Sequence, residues 1–73
     1  MIKSLDLHGY KITETSDIVE SFLIDQQLFG TQEVQIVTGD SKIVKRSVQK
    51  IVKNLGLECK EHFYTQQVLT IIF

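Results

Sequence analysis

The chain has 73 residues and a formal net charge of −1, with 42% hydrophobic and 23% charged residues. This length accommodates one domain, 1–73, and the composition is that of a globular domain rather than a disordered or membrane-spanning chain. Because Cys59 is the only cysteine, an intramolecular disulfide and a cysteine-based zinc cluster are excluded. We therefore expect a protein of the reducing cytoplasm, made without a signal peptide.

A strand is predicted first, over residues 2–7, and it ends in the segment Leu5-Asp6-Leu7-His8-Gly9. Hydrophobic and polar residues alternate there, so the two leucines would face a core while Asp6 and His8 share the opposite face. A carboxylate beside an imidazole at a strand end fits a chemical site. Taken alone, the pattern favours the simpler interpretation of a polar strand end, because short motifs often occur by chance.

An amphipathic helix follows this strand. Thr13 is its expected N-cap, and Gly30 lies just past the last apolar residue, where a left-handed C-terminal cap is expected. The apolar residues recur at steps of three and four, which is the spacing of a buried helix face. These residues are Ile18, Val19, Phe22, Leu23 and Phe29.

A second strand is predicted over residues 33–38, and it stops at the turn Gly39-Asp40-Ser41. Ser41 is expected to cap a second helix, which Gly56 would end. The apolar side of this helix comprises Val44, Val48, Ile51, Val52 and Leu55.

The near-neutral net charge conceals an uneven distribution of basic residues. Five of the eight basic residues lie in the second predicted helix: Lys42, Lys45, Arg46, Lys50 and Lys53. Lys42, Arg46 and Lys50 are spaced by four, so they line one side of the helix. Such a cluster decides the choice of partner more than the net charge does, although a basic stripe is often only a solvated face.

Two further strands complete the predicted fold. Alternation predicts a third strand over residues 57–63, with Cys59 in the core and His62 facing solvent, before a turn at Thr65-Gln66-Gln67. The final run, residues 68–73, is apolar on both faces, which is typical of a central strand. Right-handed crossovers place both helices on one sheet face. The expected fold is a two-layer α/β sandwich, β-α-β-α-β-β, with a four-stranded mixed sheet.

The ends of the first two strands are the expected site. Ligands of open α/β sheets bind at the carboxyl ends of the parallel strands, which here carry Asp6-Leu7-His8-Gly9 and Thr38-Gly39-Asp40-Ser41. The second segment opens a helix, whose free N–H groups attract anions, and Lys42, Lys45 and Arg46 lie in its first turns. A phosphodiester is the natural ligand of such an arrangement.

His8 suits proton transfer, because the ordinary pKa of histidine lies near neutrality. Asp6 is interpreted either as the residue that orients His8 or as a ligand of a divalent ion. Asp40 is then a second metal ligand or only a turn former. If these carboxylates hold a metal ion, the expected cofactor is Mg²⁺ or Mn²⁺, since Mg²⁺ is commonly held by one or two carboxylates together with substrate phosphates. Otherwise no cofactor is expected.

The two segments, in this order and spacing, resemble the small MutS-related (Smr) domain family. Members of that family open with an L-D-L-H-G strand end, which Leu5-Asp6-Leu7-His8-Gly9 matches in full. A helix with a Phe-Leu pair follows, as at Phe22-Leu23, and closes on a glycine, as at Gly30. The next strand of the family ends in T-G-x-G or H-G-x-G, here Thr38-Gly39-Asp40-Ser41.

The resemblance implies a fold like the C-terminal domain of bacterial translation initiation factor three, with the last strand inserted between the second and third. It also implies nucleic-acid binding and, in many members, cleavage of RNA or nicking of DNA. By position, Asp6 and His8 are the implied catalytic residues. The expected nucleic-acid-binding residues are Gly9, Thr38, Gly39, Ser41, Lys42, Lys45 and Arg46.

Two features depart from the family pattern. Ser41 replaces the second glycine of T-G-x-G, and Tyr64-Thr65-Gln66-Gln67 replaces a glycine-rich stretch before the last strand. The first hypothesis, which follows from the intact Asp6–His8 strand end beside a basic helix start, is an endonuclease acting by phosphodiester hydrolysis or transfer. The two departures motivate the alternative, a non-catalytic module that binds RNA or the ribosome.

The expected assembly state is a monomer or a weak homodimer, with no membrane association. A homodimer would form through the open face of the sheet, at Val37, Val68 and Ile72.

Overall fold

The computed structural model describes residues 3–62 and 65–73, and it confirms the predicted order of elements. The elements are β1 (Lys3–Asp6), α1 (Ile12–Leu28), β2 (Glu33–Val37), α2 (Lys42–Asn54), β3 (Glu58–His62) and β4 (Thr65–Ile72). Ile2 and Phe63, which the predictions assigned to strands, lie outside the described residues, as does Tyr64 of the stretch before the last strand.

The strand order in the sheet is β1-β2-β4-β3, with β1 parallel to β2 and β4 antiparallel to both of its neighbours. The insertion of β4 between β2 and β3 agrees with the expectation drawn from the family resemblance. The first three strands therefore all run in the same direction. Each helix follows one of these strands and returns along the sheet, so α1 and α2 also run in the same direction.

One face of the sheet packs against both helices and forms the core. Val34 and Ile36 of β2 and Leu69 and Ile71 of β4 alternate onto this face and are fully buried. The helices and the end of β1 contribute the remaining buried apolar side chains: Leu7, Val19, Leu23, Val48 and Val52. The expected two-layer sandwich, with both helices on one sheet face, is confirmed.

The start of α1 differs from the prediction. Lys11, not Thr13, is the N-cap, and the Glu14 carboxylate accepts a hydrogen bond from the Lys11 N–H at 3.2 Å. Thr15 is buried, and its hydroxyl donates to the Lys11 carbonyl oxygen at 3.1 Å. The helix thus begins earlier than expected because Glu14, a carboxylate three residues on, satisfies the backbone at its start.

The end of α1 confirms one prediction and corrects another. Gly30 adopts the left-handed conformation (φ 76°), and the N–H of Thr31 donates to the Gln26 carbonyl oxygen at 3.0 Å, as in a Schellman cap. Phe29, expected in the core, is 81% exposed. In the last turn of α1, the buried side chain is Gln26 instead. It accepts a hydrogen bond from the Thr31 hydroxyl at 2.9 Å.

The strands β3 and β4 also differ in detail from the prediction. Thr65, Gln66 and Gln67 belong to β4 rather than to a turn. His62 is half-buried, and its Nε2 lies 2.9 Å from the hydroxyl oxygen of Thr70 on the open face of the sheet. The pairing register of β3 with β4 shifts between Glu61 and His62.

The open face of the sheet is only partly exposed. Val37, Val68 and Ile72 are half-buried there, and Thr70 between them is buried. The homodimer through this face stays a prediction. Within residues 3–62 and 65–73, neither helix is both long enough and apolar enough to cross a membrane.

Replacing Leu23 with alanine should lower the free energy of unfolding by about 2–5 kcal/mol, because the change leaves a cavity at a fully buried position. Leu28→Ala is the matched control, since Leu28 lies on the same helix and is 80% exposed. Its effect should stay within about 0.5 kcal/mol. Urea unfolding of the two variants measures the difference, and equal destabilisation would contradict the packing described above.

Candidate functional site

The end of β1 folds into a tight turn that presents His8 at the sheet edge. The Asp6 carboxylate accepts a hydrogen bond from the backbone N–H of His8 at 2.8 Å, and the Tyr10 N–H donates to the Leu7 carbonyl oxygen at 3.2 Å. Gly9 takes a positive φ of 87°, which this turn requires. Asp6 therefore holds the backbone of His8, and the exposed imidazole projects from a fixed position.

The end of β2 is held by β4. The N–H groups of Thr38 and Gly39 donate to the carbonyl oxygen of Gln67 at 2.7 and 3.2 Å, and the Gln67 side chain donates to Asp40 Oδ1 at 3.1 Å. Thr38 is buried. Sequence reasoning missed Gln67, because only the insertion of β4 beside β2 brings this residue to the loop.

Ser41 is the N-cap of α2, as predicted, and its hydroxyl accepts a hydrogen bond from the Val44 N–H at 3.2 Å. A glycine cannot make this bond, so the departure from T-G-x-G provides a side-chain cap for the helix. Gly39 keeps the left-handed conformation, with φ 67°. The backbone turn that leads into α2 is thus preserved with one glycine.

A pocket of about 370 Å³ lies at the start of α2. Its lining residues are Gly39, Asp40, Ser41, Lys42, Lys45, Arg46, Gln49 and Glu61. Six of these are residues that the sequence singled out for the site. Gln49 of α2 and Glu61 of β3 were missed, and only the sheet order places Glu61 beside α2.

Glu61 is, with Asp40, one of the two acidic residues that line this pocket beside three basic ones. Its Oε1 lies 2.9 Å from Lys45 Nζ and accepts a hydrogen bond from the Gln49 amide, also at 2.9 Å. Lys45 lowers the pKa of Glu61 below its ordinary value, first by the hydrogen bond and then by its charge. A ligand phosphate would have to compete with this carboxylate for Lys45.

Behind this pair on β3 lies Cys59, which packs against the core. Burial raises the pKa of its thiol, and the Glu61 charge adds to the effect. A raised pKa keeps the sulfur protonated and unreactive at neutral pH, in line with the prediction that Cys59 belongs to the core.

The two predicted segments lie at the same edge of the sheet. Asp6 pairs with Val37 in the parallel register, and the Leu7 N–H donates to the Val37 carbonyl oxygen at 3.0 Å. Asp6 and His8 do not line the basic pocket. The edge therefore carries two adjacent parts, the Asp6–His8 turn and the basic pocket.

The two carboxylates expected to bind a metal ion already take part in the two loops. Asp6 accepts a hydrogen bond from the His8 N–H, and Asp40 accepts one from the Gln67 amide. Among the residues that the structure describes, no group of three or more His, Cys, Asp or Glu side chains could hold a metal ion. Asp6 and Asp40 are therefore not part of a cluster of three or more such ligands, and the Mg²⁺ or Mn²⁺ site stays a prediction.

Replacing Glu61 with glutamine should remove a pH-dependent contribution to stability. Because the folded-state pKa of Glu61 is lowered, this contribution is fully present above the ordinary value of 4.5 and disappears as the pH falls through the folded-state value. The difference in Tm between wild type and Glu61→Gln should be greatest near neutral pH and vanish in acid. Since Glu61 is exposed, the difference should be small and should shrink further in high salt.

Glu58→Gln is the control for this measurement. It removes the same charge from the same strand, on the open face of the sheet away from Lys45. A Tm profile for Glu58→Gln that matches the profile of Glu61→Gln would show that the Lys45–Glu61 pair has no specific role.

Comparison with known proteins supports the relationship that the motifs indicate. The family model of the Smr domain matches residues 5–68, which include the turn at His8, the loop at Gly39 and the first half of β4. No curated protein and no solved structure matches the chain significantly. The matched region covers most of the 73 residues, and the chain belongs to the Smr domain family.

Proposed function

We propose that this domain is an endonuclease that cleaves phosphodiester bonds in RNA or nicks them in DNA. One observation carries the proposal: the turn that presents His8 lies beside the strand end that opens into the basic start of α2. Membership of the Smr family, which is associated with nuclease activity, supports it. The proposed localisation is the cytoplasm.

The basic pocket is the proposed site for the nucleic-acid backbone. Lys42, Lys45 and Arg46 supply positive charge, and the free N–H groups at the start of α2 add directed donors. Contacts to phosphates position the strand without reading its sequence. When a phosphate binds, it replaces the Glu61 carboxylate as the ion-pair partner of Lys45.

His8 is the proposed general acid or base. It accepts the proton of the attacking hydroxyl, from water or a ribose, or it donates a proton to the oxygen that leaves phosphorus. One imidazole performs one of these transfers at a time, and the other proton is exchanged with solvent. Asp6 acts as a positioning residue, because its carboxylate fixes the backbone of His8. A divalent ion held by Asp6 or Asp40 would supply neutralisation of phosphate charge.

The alternative function is binding without cleavage, to RNA or a ribosomal surface. One observation favours it: the pocket is complete without Asp6 and His8. Binding and chemistry are therefore separable, and variants at the two parts of the site distinguish the two functions.

His8→Ala should reduce cleavage of a structured RNA or a supercoiled plasmid by about 10²–10⁴-fold, the usual contribution of general acid–base catalysis. Binding of the same nucleic acid should persist. His62→Gln is the control, since His62 is the only other histidine and lies on the open sheet face. Equal, background-level cleavage by wild type and His8→Ala would leave the binding module as the function.

Asp6→Asn and Asp6→Ala separate two roles of this carboxylate. The asparagine keeps an oxygen that accepts from the His8 N–H, whereas the alanine removes it. Cleavage retained in Asp6→Asn and abolished in Asp6→Ala indicates a positioning role. A large reduction of cleavage in both variants, with residual cleavage that requires more Mg²⁺ than the wild type, indicates a metal ligand.

Lys42→Glu combined with Arg46→Glu should weaken nucleic-acid binding and flatten its salt dependence. Removing the interaction of one side chain with a phosphate should reduce the slope of log affinity against log salt by about 1. Lys50→Glu with Lys53→Glu is the matched control on the same helix, outside the pocket. Titrations over a range of salt concentrations measure the slope, and equal effects of the two pairs would exclude the pocket as the binding site.

A further inference from the structure

The two helices begin side by side at the edge of the sheet that carries the candidate site. Both run opposite to β1 and β2, so their first turns lie near the carboxyl ends of these strands. The hydroxyl oxygens of Ser16 and Ser47 are 3.5 Å apart, and each serine lies in the second turn of its helix. This contact shows which face each helix turns toward the other.

Two isoleucines lie one turn closer to the site edge, on these facing sides. Ile12 precedes Ser16 by four residues and Ile43 precedes Ser47 by four, so each shares the helix face of its serine. Both side chains are exposed, Ile12 to 51% and Ile43 to 60%. The first turns of the two helices thus place two exposed isoleucines on their facing sides, at the edge of the site.

Tyr10 adds an aromatic ring at the same edge. It lies between His8 and the start of α1, its backbone N–H is bonded to the Leu7 carbonyl oxygen, and its side chain is 48% exposed. Three of the six exposed large apolar residues of the described chain therefore belong to this edge. We name Tyr10, Ile12 and Ile43 the apolar platform.

The residues next to the apolar platform indicate which class of ligand it fits. His8 precedes Tyr10 by two residues, and Lys42, which lines the basic pocket, precedes Ile43 by one. A nucleotide combines the two matching parts, an anionic phosphate for the pocket and a flat apolar base for the platform. A base that is stacked and paired in a duplex cannot reach such a surface without leaving the stack.

We propose that the apolar platform receives an unpaired nucleobase, and that the substrate is a strand with an unpaired or extruded nucleotide next to the cleaved phosphodiester. The proposal rests on the proposed function for the placement of the backbone. Tyr10 supplies the stacking surface, and the two isoleucines contact the edge of the base. Stacking of bases on aromatic side chains tolerates any sequence, so selection is by strand structure rather than by base identity.

The test compares two RNA hairpins that differ at one position. In one, a fluorescent 2-aminopurine is bulged, and in the other the same base is paired. Binding is measured in a His8→Ala background, so that the RNA stays intact. The bulged hairpin should bind about tenfold more tightly, as expected for one stacked base, and its fluorescence should be quenched.

Tyr10→Ala should bring the affinity ratio of the two hairpins close to unity and abolish quenching, whereas Tyr10→Phe should keep both. Ile43→Ala should lower the ratio in part. Leu28→Ala, an exposed apolar residue at the other end of α1, is the control and should change neither. Because these side chains are exposed, the variants should fold, which circular dichroism checks.

Each outcome bears on one proposal or the other. If Tyr10→Ala and Ile43→Ala keep both the quenching and the affinity ratio, the proposal for the apolar platform is wrong, and the proposed endonuclease function is unaffected. A dimer in sedimentation equilibrium that Ile43→Ala dissociates, with RNA binding unchanged, assigns the surface to a second copy instead. Quenching without any cleavage by the protein with His8 intact supports the platform and overturns the endonuclease. If neither hairpin binds, both proposals fail.

Discussion

The antiparallel pairing of β4 with β2 and β3 is the constraint on which the rest of this structure depends. It fills the centre of the sheet with Leu69 and Ile71, and it leaves the other three strands running in the same direction. Both helices consequently start at one edge. The same pairing places Gln67 against Thr38 and Gly39, so the loop before α2 is held by the central strand.

The helix layer is divided by charge. Of residues 12–28, four are acidic and none is basic, whereas of residues 42–54, five are basic and none is acidic. The acidic helix repels a polyanion, and the basic helix beside it attracts one. Under the proposed function, this division of charge would direct a nucleic acid to the α2 side of the domain. Glu61 is placed where it tempers this attraction, because it engages Lys45 within the pocket.

Ser41 shows how a departure from a family pattern can preserve local structure. The second glycine of T-G-x-G is absent, yet the preceding Gly39 still makes the turn, and the serine hydroxyl caps the helix. The Ser41 side chain, which a glycine would lack, accepts a hydrogen bond from the Val44 N–H. The pocket beside it remains open to solvent and is lined by Ser41 together with three cations.

The sequence by itself determined the order of elements, the family, and the residues of the two strand ends. Period-two alternation around Leu5 and Leu7, and the helix-ending glycine Gly30, are local signals that each short segment carries alone. The prediction that Phe29 lies in the core was wrong. The spacing of apolar residues does not show that α1 ends at Leu28, just before Phe29.

Only the tertiary structure decided which residues meet at the site. Gln67 clamps the loop, and Glu61 enters the pocket, because β4 separates β2 from β3 and sets the register of both pairings. The Ser16–Ser47 contact likewise places Ile12 and Ile43 on the facing sides of the two helices, although they are 31 residues apart in the chain. These contacts join distant segments through packing and strand order, and periodicity within one segment carries no information about them.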